Sequence, residues 1–131
     1  MKKKLIVTGI VVILITIGLS GCNESGQTAG DTDKIELVDY DVETKSIAVN
    51  TYDDYKLVSG TIRNIAGEPI HKVTVSVKFY DSNDNLLHTE TDDVWDIANS
   101  YTEYFEVAYW HTDQYYENVD WNDIRFEFKV S

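Results

Sequence analysis

"KVTVSVKFYD", Lys72 to Asp81, is the stretch that decides the fold. Val73, Val75, Val77 and Phe79 fall at every second position, and Thr74, Ser76, Lys78 and Tyr80 fall between them. A period of two places successive side chains on opposite faces of a strand, so this segment predicts a strand with one face buried and one wet. The carboxyl-terminal stretch repeats the pattern, with Ile124, Phe126, Phe128 and Val130 on one face and Arg125, Glu127 and Lys129 on the other. Val58, Gly60 and Ile62 form another inner face, and Val38, Tyr40 and Val42 a fourth, alternating with Asp39, Asp41 and Glu43. Asn85–Thr91 and Tyr101–Tyr109 are expected to supply two more strands, and Ile47 and Val49 a short one. No segment carries a sustained helical stripe; Trp110–Asp123 reads as irregular, with room for one helical or 3₁₀ turn.

Turn chemistry separates these runs. "NIAGEPI" sets Gly67 and Pro69 between two strands, and "DSNDN", Asp81 to Asn85, joins two others. Asn and Asp hydrogen-bond their own backbone and tolerate the left-handed conformation, and with no glycine after Gly67, Asp84 or Asn85 must take any positive φ there. Six or seven short strands in residues 34–131 predict an all-β fold, an antiparallel immunoglobulin-like β-sandwich of about seven strands, with a small barrel as the other arrangement. A chain segment of that size buries roughly two thirds of its unfolded surface, enough for one modest core.

The single cysteine, Cys22, ends the longest apolar run. Lys2–Lys4, the apolar stretch from Leu5 to Leu19 and the small residues Ser20 and Gly21 follow the layout of an export signal. As a helix that run would span only about 22 Å at ~1.5 Å per residue, short of the ~30 Å core of a bilayer. "Leu19-Ser20-Gly21-Cys22" resembles the lipobox of prokaryotic lipoproteins. The resemblance implies cleavage before Cys22, an acyl (palmitate-type) modification of its sulfur, and attachment to the extracytoplasmic face of the cell membrane. The expected organisation is a signal peptide over 1–21, a lipidated cysteine and flexible tether over 22–33, and a folded domain over 34–131.

A second resemblance runs through the strands. "Gly60-Thr61-Ile62-Arg63-Asn64", then "Val73-Thr74-Val75-Ser76-Val77-Lys78-Phe79-Tyr80-Asp81", then "Phe105-Glu106-Val107" look like the FxLyD-type domain, an immunoglobulin-like module of prokaryotic surface lipoproteins. It implies a sandwich fold and no shared catalytic site.

Charge and composition narrow the function. Of eleven basic residues three are Lys2–Lys4, so without the leader 8 basic residues face 23 acidic ones, a balance of −15. Such a surface is repelled by phosphate backbones, which argues against nucleic acid as a partner. One cysteine allows no internal disulfide, and His71, His88 and His111 are scattered singly, without a zinc spacing. "Asp81-Ser82-Asn83-Asp84-Asn85" resembles the opening of an EF-hand loop, but Leu86 stands at the glycine position; the stretch reads as a hairpin turn, and a weak calcium site on Asp81, Asn83 and Asp84 is the sharper alternative. "Asp92-Asp93-Val94-Trp95-Asp96" gathers three carboxylates and reads as a solvated loop. No nucleophile elbow or base–orienter pair is legible, so an enzyme is not expected. Aromatic residues crowd the last third, and Trp110, Tyr115, Tyr116 and Trp121 are the candidate ligand-binding residues because they lie in the least regular segment. The expected function is a membrane-anchored lipoprotein whose sandwich binds or spaces without catalysis, with envelope polymer or a surface protein as partner; the alternative is a carbohydrate- or calcium-binding module for solute capture or sensing.

Overall fold

The computed structural model describes residues 6–7, 9–10, 27–46 and 54–131. Cys22, most of the expected leader and the expected short strand at Ile47 and Val49 lie outside the described residues. Within residues 1–26 only a two-residue backbone pairing, Ile6–Val7 with Gly9–Ile10, is described. Among the described residues the folded domain has seven strands: β1 Gln27–Gly30, β2 Ile35–Ser46, β3 Asp54–Asn64, β4 Ile70–Tyr80, β5 Leu86–Ile97, β6 Thr102–Trp110 and β7 Ile124–Val130. They form two sheets, one ordered β1-β7-β4-β5 and one ordered β2-β3-β6. The protein is an all-β, immunoglobulin-like sandwich.

The inner faces are those that the alternation marks. Val73, Val75, Val77 and Phe79 of β4 are all 0% exposed, and Ile124, Phe126 and Phe128 of β7 and Val58 and Ile62 of β3 are as deeply buried. Rings bridge the sheets: Tyr40 of β2 meets Phe126 at 5.0 Å, and Phe105 of β6 meets Phe126 at 5.9 Å, edge to face. Each such buried side chain contributes about 1.5–3 kcal/mol of transfer free energy, upper-bound values for a compact unfolded chain.

Four expectations need correction. Val38 does not share the face of Tyr40 and Val42: the β2–β3 register shifts between Leu37 and Asp39, and Val38 bulges outward, 41% exposed, while Ile35 and Leu37 face the core in its place. A bulge inserts one extra residue and so inverts the alternation on one side of it. The described strands of the domain begin with β1 at Gln27, ahead of the expected start at Lys34. β1 pairs with β7, and this pairing is parallel, so the sandwich is not wholly antiparallel. The residues expected to be the second half of the tether are held by Asp31, whose N–H donates to the Phe128 carbonyl and whose carboxylate accepts the Val130 N–H. Finally, Asp92–Asp96 is not a loop but the last half of β5, in which Val94 and Ile97 face the core.

Gly60 and Asn64 carry most of the sequence specificity of β3. Gly60 lies between Tyr40 and Phe105 in the sheet, and a Cβ there would stand 2.4 Å from the Asp39 carbonyl and 2.9 Å from the Phe105 ring. Phe105 therefore lies over bare backbone, the pairing that protects a strand glycine. Asn64 is the one buried polar side chain among the described residues. Its Nδ2 donates to the carbonyls of Glu68 (2.8 Å) and Ile97 (2.9 Å), and its Oδ1 accepts the Ala66 N–H (2.8 Å). One amide thus closes the β3–β4 turn and ties it to the end of β5 in the opposite sheet.

Replacing Asn64 with Ala leaves those two carbonyls and one N–H without that partner. We expect a loss of about 2–4 kcal/mol, the range for breaking a buried hydrogen-bond network. Urea unfolding should show a lower midpoint at unchanged slope; a midpoint equal to the wild type would refute this role.

Candidate functional site

The two ends of the sandwich are closed differently. At one end, where β3 stops and β5 ends, the Asn64 hydrogen bonds do the closing. At the other, where β6 ends and β7 begins, aromatic rings do it. Tyr109, the penultimate residue of β6, points inward and is 1% exposed. The segment 111–123 returns across this end with a short 3₁₀ turn, Tyr116–Asn118, as the irregular spacing suggested. The turn presents Tyr116 edge-on to Tyr109 at 5.7 Å, and Trp121 meets Phe79 at 5.6 Å and Tyr116 at 5.4 Å.

This corrects the expected binding platform. Tyr116 is buried, and Trp121, half-buried, packs against the core as its plug. Only Trp110 and Tyr115 are open to solvent, 41% and 43% exposed. Trp110 projects from the outer face of β6 and packs on Tyr55 of β3 at 4.6 Å. The alternation of β6 could have indicated this division, because Tyr109 and Trp110 are adjacent and must face opposite ways. The role of Tyr116 and Trp121 depends on how the 111–123 segment folds back, which no local pattern encodes.

A polar cluster that the sequence did not reveal surrounds Tyr109. The His88 ring of β5 stacks on Tyr109, centroids 4.3 Å apart and planes at 18°. His88 Nε2 lies 2.6 Å from a Glu90 carboxylate oxygen and its Nδ1 3.8 Å from Asp113. The Tyr109 hydroxyl donates to Asp113 Oδ1 at 2.8 Å, and the same oxygen accepts the Tyr115 N–H at 2.9 Å. The Tyr115 N–H foremost, then the Tyr109 hydroxyl and His88, hold the Asp113 carboxyl below the ordinary carboxylate range, against a smaller opposing effect of burial. Burial first, then the bond to Asp113, raise the Tyr109 phenol well above its ordinary value, so it stays a donor at physiological pH. A histidine between two carboxylates has the parts of an acid–base site. Here the tyrosine hydroxyl donates to an Asp113 oxygen that also accepts the Tyr115 backbone N–H, and the cluster anchors the 111–123 segment to β5 and β6.

The acidic turn is likewise built for the fold. Asp81 Oδ1 accepts the N–H groups of Asn83 and Asn85, and Oδ2 accepts the Asn85 side-chain amide. Those bonds, Asn85 first, hold the Asp81 carboxyl below its ordinary value. Asp84 takes the positive φ, 70°, and its carboxylate pairs with the Arg125 guanidinium, which also binds Asp123 and lies 3.7 Å over the Tyr80 ring. Of the three calcium candidates, the carboxylates of Asp81 and Asp84 are directed to different partners. Among the described residues no three His, Cys, Asp or Glu side chains gather as metal ligands. In β5, Asp92 accepts the Glu106 N–H at 3.0 Å, joining the edge strands of the two sheets, and Asp93 accepts the Thr74 hydroxyl.

Comparison with known proteins adds little to this geometry. No family model matches the chain, and neither does any curated protein. Among solved structures, the C-terminal domain of Wzt is similar at 6% identity over 58% of this chain, with a TM-score of 0.46. A Bacteroides uniformis β-glucuronidase is similar at 11% identity over 70% of this chain, TM-score 0.42, and a calcium-binding mutant of Bacteroides uniformis β-glucuronidase 2 at 11% over 70%, TM-score 0.41. The chain spans 50% of the first of these and 12% and 13% of the other two.

The lowered pKa of Asp113 makes a signed prediction. A carboxyl depressed by folding contributes stability above its unfolded pKa of about 3.9, and that contribution is lost as pH falls through the lower folded value. Asp113→Asn keeps an oxygen for Tyr109 and Tyr115 but removes the charge. The variant should be less stable than the wild type at pH 7, and the gap in urea midpoint should close as the pH is lowered below about 4. A gap independent of pH would show that the charge contributes nothing.

Proposed function

We propose that this chain is a surface lipoprotein in which an acylated Cys22, the first residue after removal of 1–21, holds a sandwich domain at the extracytoplasmic face of a membrane, where the domain binds or spaces without catalysis. The observation that carries this reading is Leu19-Ser20-Gly21-Cys22 at the end of a short apolar run behind three lysines. Two chains of an acyl anchor, at about 0.8 kcal/mol per buried CH₂, hold a small domain firmly. Further support comes from the domain itself. Its first strand, β1, starts five residues after Cys22. Its clustered carboxylates at 81–85, 92–96 and 113 accept hydrogen bonds from the fold. The acidic surface suits an extracytoplasmic, soluble-facing module and disfavours nucleic acid. Envelope polymer or a neighbouring surface protein is the kind of partner such a domain meets there.

Mass spectrometry of the protein extracted from membranes should show an amino-terminal Cys22 carrying acyl mass, and Cys22→Ala should accumulate with residues 1–21 attached. An unacylated, unprocessed wild-type protein would overturn the proposal. Intrinsic tryptophan fluorescence titrated with calcium and with simple sugars should stay flat; a saturable shift would favour the solute-binding alternative.

A further inference from the structure

The place where β1 starts sets how an anchored domain must stand. Gln27 pairs with Arg125, one residue from the start of β7 and so at the aromatic end of the sandwich. Only the five residues 22–26 separate an anchor on Cys22 from that strand. Fully extended they reach at most about 17 Å, and as a flexible coil about 12 Å. The headgroup layer of one leaflet is itself roughly 5–8 Å thick. The strand pairing of β1 therefore removes most of the freedom a twelve-residue tether would have given.

At this same end stand the exposed Trp110 and Tyr115, with Tyr55 packed beside Trp110. Trp and Tyr have an apolar body and a polar tip, and they favour the boundary between headgroups and hydrocarbon. We infer, on the proposed anchoring at Cys22, that the domain stands end-on with Trp110 and Tyr115 seated in the headgroup layer of the bilayer that holds the anchor. The Asn64 end then faces away. Trp95 marks that distance: it pairs with Lys72 on β4, six residues from Lys78, the partner of Arg125, which is about 20 Å along the strand at ~3.3 Å per residue. Trp95 is itself 51% exposed and so serves as an internal control. The carboxylates of Asp54, Glu117 and Asp120 at the seated end repel anionic lipid, so the fitting surface is zwitterionic.

The test uses the acylated protein from membranes, reconstituted in phosphatidylcholine vesicles carrying phosphatidylcholine brominated near the headgroup end of its acyl chains. Bromine quenches tryptophan only near contact. Trp110→Phe and Trp95→Phe both alter exposed rings and leave Trp121 in the core. The quenched fraction of the emission should fall to near zero in Trp110→Phe and rise in Trp95→Phe, as expected if Trp110 alone sits at the interface. Equal quenching of both rings, quenching of Trp95 alone, or no quenching in an acylated sample overturns the orientation and leaves the anchor standing. Absence of acyl mass in the same sample overturns the anchor and the orientation with it.

Discussion

Asn64 makes five hydrogen bonds, and the end of the sandwich where β3 stops is organised by them. Its side chain binds the backbone at Ala66, Glu68 and Ile97, and its own N–H and carbonyl pair with Tyr101 and Ser100. Strand β3 belongs to one sheet and Ile97 to the other, so a single amide sets how the sheets meet. Burying an amide costs several kcal/mol without partners and little with all of them. The position therefore admits few residues, and it fixes β3, the turn after it and the β5–β6 connection together.

The opposite end uses a different device. Sandwiches are open at their ends, and an apolar core must be covered there as well as on its faces. Phe79, Tyr109, Tyr116 and Trp121 form a cluster of rings that closes it. The polar edge of this plug is managed by Asp113, which takes the Tyr109 hydroxyl and the Tyr115 N–H and lies beside His88. A group of residues with the composition of a reactive site thus acts as a fastening. Residue types alone do not distinguish the two; the direction of each hydrogen bond does.

Strand β1 links the fold to the proposed anchor. It covers part of an otherwise open edge of β7, satisfying backbone groups that an exposed strand would present. It does so with four residues, Gln27–Gly30, that have no large apolar side chain. Gly30 is needed there because its φ is +81° and a Cβ would stand 2.3 Å from the Phe128 carbonyl. The same short strand brings the sandwich close to Cys22 along the chain and selects which of its ends lies nearer.

The sequence by itself determined the strands whose cores alternate, the turn at Asp81–Asn85 and an all-β fold, because a period of two in apolar residues buries one face of a strand; the structure chose the sandwich over a barrel and gave the positive φ to Asp84. The roles of Gly60, Asn64 and Phe105, a ring on bare backbone and an amide between sheets, became legible only with the chain folded. Tertiary structure alone decided the outward bulge at Val38, the continuation of β5 through Asp92–Asp96, the parallel β1 and the burial of Tyr116 and Trp121. Each of these depends on a partner distant in the chain: a strand edge to be covered, a neighbouring edge strand offering an N–H, a core left open at one end. Local periodicity reports only the face a residue shows, while those placements are set by what the rest of the molecule leaves unsatisfied.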